Sequence, residues 1–136
     1  MKLLNFKFIL TDHRKEFRDS KFSYDKSCIY EYEGDVAIFI NGKKIFEAEI
    51  AVLEFLRDVL GWQNNPNKLS DMKYDCVETE DNPLVSFIYK NGRWFIDSPW
   101  KLFDCETPFT REELEDAILK LKADVEKQLN IELPIE

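Results

Sequence analysis

At 136 residues, 44% of them hydrophobic, 14% aromatic and 34% charged, the chain has the make-up of one domain with one core, which argues against a disordered protein. A formal net charge of −8 repels a phosphate backbone and disfavours general nucleic-acid binding. The most apolar window, IAVLEFLRDVLGW, is broken by Glu54, Arg57 and Asp58 and falls short of the ~20 apolar residues of a membrane-spanning helix.

The first residues in chain order, KLLNFKFIL, place Leu4, Phe6, Phe8 and Leu10 in period two, which predicts a strand with one buried face. A charged connection, TDHRKEFRDSK, follows and predicts a loop or short irregular helix. The segment SCIYEYEGDVAIFINGKKIFEAE predicts three short strands. Its strong turn signal is Asn41-Gly42, both tolerant of the positive φ of a type I′ hairpin, and its weaker one is Glu33-Gly34-Asp35. Apolar spacing then changes to that of a helix over about 49–60, with Gly61 expected as its left-handed C-terminal cap and Trp62 packed at its exit. WQNNPNKLSD, with Pro66, predicts a polar loop.

In the second half, MKYDCVETE alternates as a strand, and LVSFIYKNGRWFIDS predicts another Asn-Gly hairpin. After Pro99, WKLFDCE predicts one more strand. The last helix, about 110–129, is announced by a capping box of Thr110 and Glu113 and by a stripe of Leu114, Ile118, Leu121, Val125 and Leu129. Hairpins with segregated helices predict a single α+β domain over 1–136, an antiparallel sheet of about six to eight strands with both helices on one face or end.

Motifs for chemistry are absent from the sequence. All four glycines are accounted for by turns or a cap, so no phosphate-binding loop is present, and neither a G-x-S-x-G nor an H-E-x-x-H pattern occurs. Cys28, Cys76 and Cys105 form no C-x-x-C pair, and the lone His13 has no cysteine near it in the chain. That pattern argues against a zinc site and a disulfide framework, and for a reducing cytoplasm in which each cysteine acts as a small hydrophobe. No catalytic, cofactor-binding or metal-ligating residue is therefore assigned, and no cofactor is expected.

Charge distribution carries more information. Residues 1–26 hold seven Lys/Arg against four Asp/Glu, whereas 27–136 hold 12 against 23, so a basic protein would be steered to the body of the molecule. The densest acidic stretch is Asp71, Asp75, Glu78, Glu80 and Asp81. On a strand these side chains split between two faces and do not converge on a metal, so they predict a charged strand edge that resists aggregation, or an acidic interaction edge. Trp94 is expected in the core. Trp100 follows Ser98-Pro99, where a strand must end, and is either a plug closing the sheet, the favoured expectation, or an exposed anchor for a partner.

An acidic, aromatic-rich α+β chain in which INGKKIFEAEIAVLEFLRDVLGW leads to YKNGRWFIDSPW resembles the small immunity proteins of bacterial polymorphic toxin systems and the uncharacterised bacterial families around them. That resemblance implies a cytoplasmic protein that neutralises a cognate toxin by occluding its active site, through acidic residues where the toxin is a basic nuclease. The expected function is a non-enzymatic protein-binding module, monomer or homodimer, that engages a protein partner such as a basic toxin domain but neither nucleic acid nor membrane. Asp71, Asp75, Glu78, Glu80, Asp81 and Trp100 are its candidate contact residues. The alternatives are a structural or accessory protein that self-associates through its sheet, and a small carboxylate-dependent enzyme.

Overall fold

Both Asn-Gly pairs form the turns that their chemistry favours. Asn41 and Gly42 have φ of 52° and 82°, and Asn91 and Gly92 have 53° and 83°. Paired positive values define the type I′ turn, whose twist matches that of the strands it joins. The structure, a computed structural model, describes residues 4–13, 32–77, 79–104 and 106–129. Within them lie β1 (Leu4–His13), β2 (Tyr32–Ile40), β3 (Lys43–Ala51), α1 (Val52–Gln63), β4 (Met72–Tyr74), β5 (Val85–Lys90), β6 (Arg93–Asp97) and α2 (Arg111–Leu129).

The fold is α+β, but the strands form two three-stranded antiparallel sheets, β1-β2-β3 and β4-β5-β6, rather than one sheet of six to eight. The reason lies in α1. It buries Val52, Leu53, Phe55, Leu56, Val59, Leu60 and Trp62, a face too broad for one neighbour, and it packs on β2 and β3 as well as on β4. Phe6 of β1 joins the layers, with its ring centroid 6.1 Å from Phe55 of α1 and 6.2 Å from Phe87 of β5. The second helix lies along β1.

Several boundaries differ from expectation because pairing overrides local preference. Glu33-Gly34-Asp35 makes no turn: all three residues pair with β3 inside β2. Gly34 is needed for close approach, since an added Cβ would overlap the Phe8 ring and stand 2.5 Å from the Ile9 carbonyl oxygen. Glu49, Ile50 and Ala51 belong to that same ladder, so α1 starts three residues later than its periodicity suggests and continues through Gly61. Its C-cap is Asn64, whose N–H donates to the Leu60 carbonyl at 3.0 Å. The expected strand WKLFDCE is also absent from the described residues. Instead Trp94 and Phe109 exchange two backbone hydrogen bonds of 2.9 Å, which attach the chain before α2 to the edge of β6.

The α2 start follows its sequence signal: the Thr110 N–H donates to Glu113 Oε1 at 2.8 Å and the Glu113 N–H to Thr110 Oγ1 at 3.2 Å. The whole predicted stripe is buried. Cys76 is buried as expected, while Cys28 and Cys105 lie outside the described residues.

Near its other end α2 protects a sheet edge. Gln128 Nε2 donates to the Phe8 carbonyl at 2.7 Å, and Gln128 Oε1 accepts from the Leu10 N–H at 3.3 Å, so a side-chain amide pairs with β1 as a neighbouring strand would. Gln128→Ala is expected to cost about 1 kcal/mol and lower the unfolding temperature by about 3 °C. Calorimetry checks the first effect. Light scattering during heating checks the second consequence, earlier aggregation through the uncovered edge.

Candidate functional site

The β5–β6 hairpin has one face for folding and one that remains accessible. Val85, Phe87, Trp94 and Ile96 point inward and are buried, so Trp94 is a core residue as expected. On the other face the register sets Ser86 opposite Asp97, Ile88 opposite Phe95, and Lys90 opposite Arg93. Ile88 is 37% exposed and Phe95 is half-buried, so the described residues do not cover this face.

Two loops converge at the Ser86–Asp97 end. The first leaves β4 after only three strand residues and is closed by Asn82. This side chain accepts from the Cys76 N–H at 2.8 Å and donates to the carbonyls of Cys76 at 3.0 Å and Thr79 at 2.7 Å. The second begins at Ser98, whose hydroxyl accepts the Trp100 N–H at 3.0 Å. Trp100 Nε1 then donates to Asp81 Oδ2 at 2.8 Å, linking the two loops, and the Leu102 N–H donates to the Ile45 carbonyl of β3 at 2.7 Å.

Trp100 is therefore held but not enclosed. It is 39% exposed, so the expected plug is instead a fixed surface residue. A plug would need chain above it, and the described residues leave the indole uncovered. Leu102, 55% exposed, and Phe103, 47% exposed, follow in the same segment, with Lys43 Nζ 3.7 Å from the Phe103 ring centroid. Apolar side chains on an anchored loop have already lost much of the conformational freedom that binding would remove.

Between the loops lies a cavity of about 440 Å³ lined by Glu80, Asp81, Ser86, Asp97, Ser98 and Lys101, among others. Lys101 Nζ is ion-paired to Asp97 at 3.0 Å. A second, more apolar hollow of about 400 Å³ adjoins it, lined by Ile88 and Phe95 and sharing Asp97.

The structure thus brings Glu80, Asp81 and Trp100 together and separates the remaining candidates. Asp71 is exposed, but its Oδ1 accepts the Tyr89 N–H at 2.7 Å and so extends the β4–β5 pairing. Asp75 stands beside α1, where burial pushes the Asp58 carboxyl above its ordinary range against the pull of Arg57, with Glu54 and Asp75 adding to the rise. Glu78 lies outside the described residues. The charged strand edge that the sequence predicts for this stretch is not formed, because β4 ends at Tyr74. Ser86, Asp97 and Ser98 also line the cavity and are not among the residues predicted from the sequence. Their signal was a small polar residue and a carboxylate at outward positions of an otherwise aromatic hairpin.

No group of three or more His, Cys, Asp or Glu among the described residues is placed to hold a metal ion. No helix among them is long and apolar enough to cross a membrane. Residues 6–131, which include both loops and both sheets, match the model of a family described as a domain of unknown function, DUF7878. The chain belongs to the DUF7878 family. No curated protein and no solved structure matches it. Because the family span takes in the whole cavity, the site is part of the DUF7878 domain itself.

Proposed function

We propose that this DUF7878 domain is a non-enzymatic protein-binding module of the cytoplasm that neutralises a basic partner, such as a toxin domain, by covering that partner's active site. The observation that carries the proposal is Trp100, exposed yet tied to Asp81, with Leu102 and Phe103 beside it and an acidic cavity at its foot. An apolar anchor with a charged rim is the usual composition of a binding hot spot. The negative rim supplies long-range attraction, and the anchor supplies residence time.

Self-association through exposed strands has less support. Gln128 occupies part of the outer edge of β1, and Leu102 occupies part of that of β3.

Capture from the native lysate supplies the partner, and association kinetics at several salt concentrations test the proposal. Glu80→Lys with Asp81→Lys is expected to slow association about tenfold at low salt and to flatten its salt dependence. Trp100→Ala is expected to leave association nearly unchanged and to weaken affinity by about 2 kcal/mol through faster dissociation. Variants that fold normally and bind a basic partner with unaltered rates would remove this surface from consideration.

A further inference from the structure

We infer that the cavity between residues 80–83 and 97–101 is a receptor for a guanidinium group, the side chain of an arginine that the basic protein partner inserts. This deepens the binding function proposed above and rests on it.

Charge is the first ground. Glu80, Asp81 and Asp97 line the cavity together with one cation, Lys101, which is ion-paired to Asp97 at 3.0 Å. Asp81 gives Oδ2 to the Trp100 indole, which leaves Oδ1, and the Glu80 carboxylate has no partner among the described residues. Among the described residues the cavity lining therefore carries more negative than positive charge.

Ser86 is the second and independent ground. It is 6% exposed, its side chain lies on the cavity wall directly opposite Asp97 in the β5–β6 register, and it has no hydrogen-bond partner among the described residues. The only buried side-chain oxygen or nitrogen without a partner among the described residues is Gln63 Oε1, so the Ser86 hydroxyl is open to the cavity and within reach of a group that enters it. A donor entering the cavity would complete Ser86 and meet the Asp97 carboxylate at the same point.

Geometry favours guanidinium over ammonium. The acceptors stand on two walls, Glu80 and Asp81 on one loop, and Asp97 with Ser86 on the hairpin. A planar fork with five N–H groups can address both walls, whereas an ammonium is a compact point charge. Along the hairpin from Asp97, Ile88 and Phe95 offer an apolar strip for the methylene stem or for an adjacent apolar residue. That strip and the exposed Trp100, Leu102 and Phe103 are surface that a protein would cover and a free cation would not.

The test is an NMR titration of the full chain at constant ionic strength with N-acetyl-arginine amide. N-acetyl-citrulline amide serves as the uncharged isostere and N-acetyl-lysine amide as the point charge. The expected result is saturable movement of the Trp100 indole N–H and of the Ser86 and Asp97 amides, with a dissociation constant of about 10 mM sufficing as a positive. Citrulline is expected to bind about tenfold more weakly and lysine to fall between them. Ser86→Ala and Glu80→Gln are each expected to weaken arginine binding about fivefold, the effect of one partly solvated hydrogen bond to a charged group. Glu80 is exposed, so its variant keeps the test open if Ser86→Ala folds poorly. Absence of saturation, equal binding of citrulline, or wild-type affinity in Glu80→Gln would each overturn the guanidinium site. A partner still held through Trp100 in that event would leave the broader binding function standing. Saturable arginine binding beside Trp100→Ala kinetics identical to wild type would do the reverse.

Discussion

Arg111→Ala is expected to destabilise the fold by about 3–4 kcal/mol, a loss that chemical denaturation would measure directly. Arg111 opens α2, where the positive end of the helix dipole disfavours a cation. It is held there by what it does for other segments. Its Nη1 donates to the Lys68 carbonyl at 2.9 Å, and its Nη2 to the carbonyls of Trp62 at 3.0 Å and Gln63 at 3.1 Å. Trp62 and Gln63 end α1, which has no basic residue of its own in its last turn. Arg111 thus supplies, from the other helix, both the donors and the positive charge that a helix C-terminus needs.

The same side chain also stacks. Its guanidinium carbon lies 4.1 Å from the Trp62 ring centroid and 5.9 Å from that of Trp94, and both indoles donate to the Ser70 carbonyl, at 2.8 and 3.3 Å. Glu115, one turn on, balances the charge with an ion pair at 2.9 Å. One residue therefore joins the end of α1, the 64–70 loop, β6 and the start of α2. Arg111→Lys is expected to recover less than half of the loss, because an ammonium cannot make the forked contacts or the stacking. Full recovery by lysine would mean that charge alone matters at this position.

Tyr74→Phe is expected to cost about 2–3 kcal/mol, although it removes a single oxygen. Tyr74 is fully buried on β4, and its hydroxyl donates to Glu54 Oε1 of α1 at 2.7 Å; Glu54 itself is only 2% exposed. Phenylalanine would leave a carboxylate in the core without that donor. The double variant Glu54→Met with Tyr74→Phe is expected to return to within about 1 kcal/mol of wild type, since an apolar pair of similar volume has no unmet partner. A double variant no better than the sum of the single ones would show that the two side chains act independently.

The pair also predicts a pH effect. Burial, followed by the hydrogen bonds of Cys76 and Glu54, pushes the Tyr74 hydroxyl far above its ordinary value of 10.0. A pKa raised on folding gives a contribution that is complete below the unfolded value and is lost as pH rises beyond it. Wild type should therefore lose stability above about pH 10 more steeply than Tyr74→Phe, with the difference between them flat below that pH. Parallel alkaline unfolding curves would place the alkaline loss in other groups.

Features encoded within a few residues were legible. The two Asn-Gly turns, the Thr110–Glu113 box and the α2 stripe all occur where their side chains require them, because a positive φ, a cap or a helical period is decided by immediate neighbours. The alternation of Leu4, Phe6 and Phe8 marked a strand whose buried face is the one predicted.

By itself, then, the sequence determined the α+β class, the hairpins and the burial of the α2 stripe, since these follow from local geometry and from which side chains avoid water. Only the tertiary structure decided the rest. Gly34 suggested a turn until Phe8 and β3 made it part of a strand, and Glu49–Ala51 suggested helix until pairing with β2 claimed them. The broad face of α1 divided the strands between two sheets. The cavity uses residues from two loops and a hairpin, Glu80 and Asp81 meeting Ser86 and Asp97, and Trp100 takes its position from a hydrogen bond to Asp81, 19 residues away. Such contacts have no local signature, because their energy exists only once distant segments have packed together.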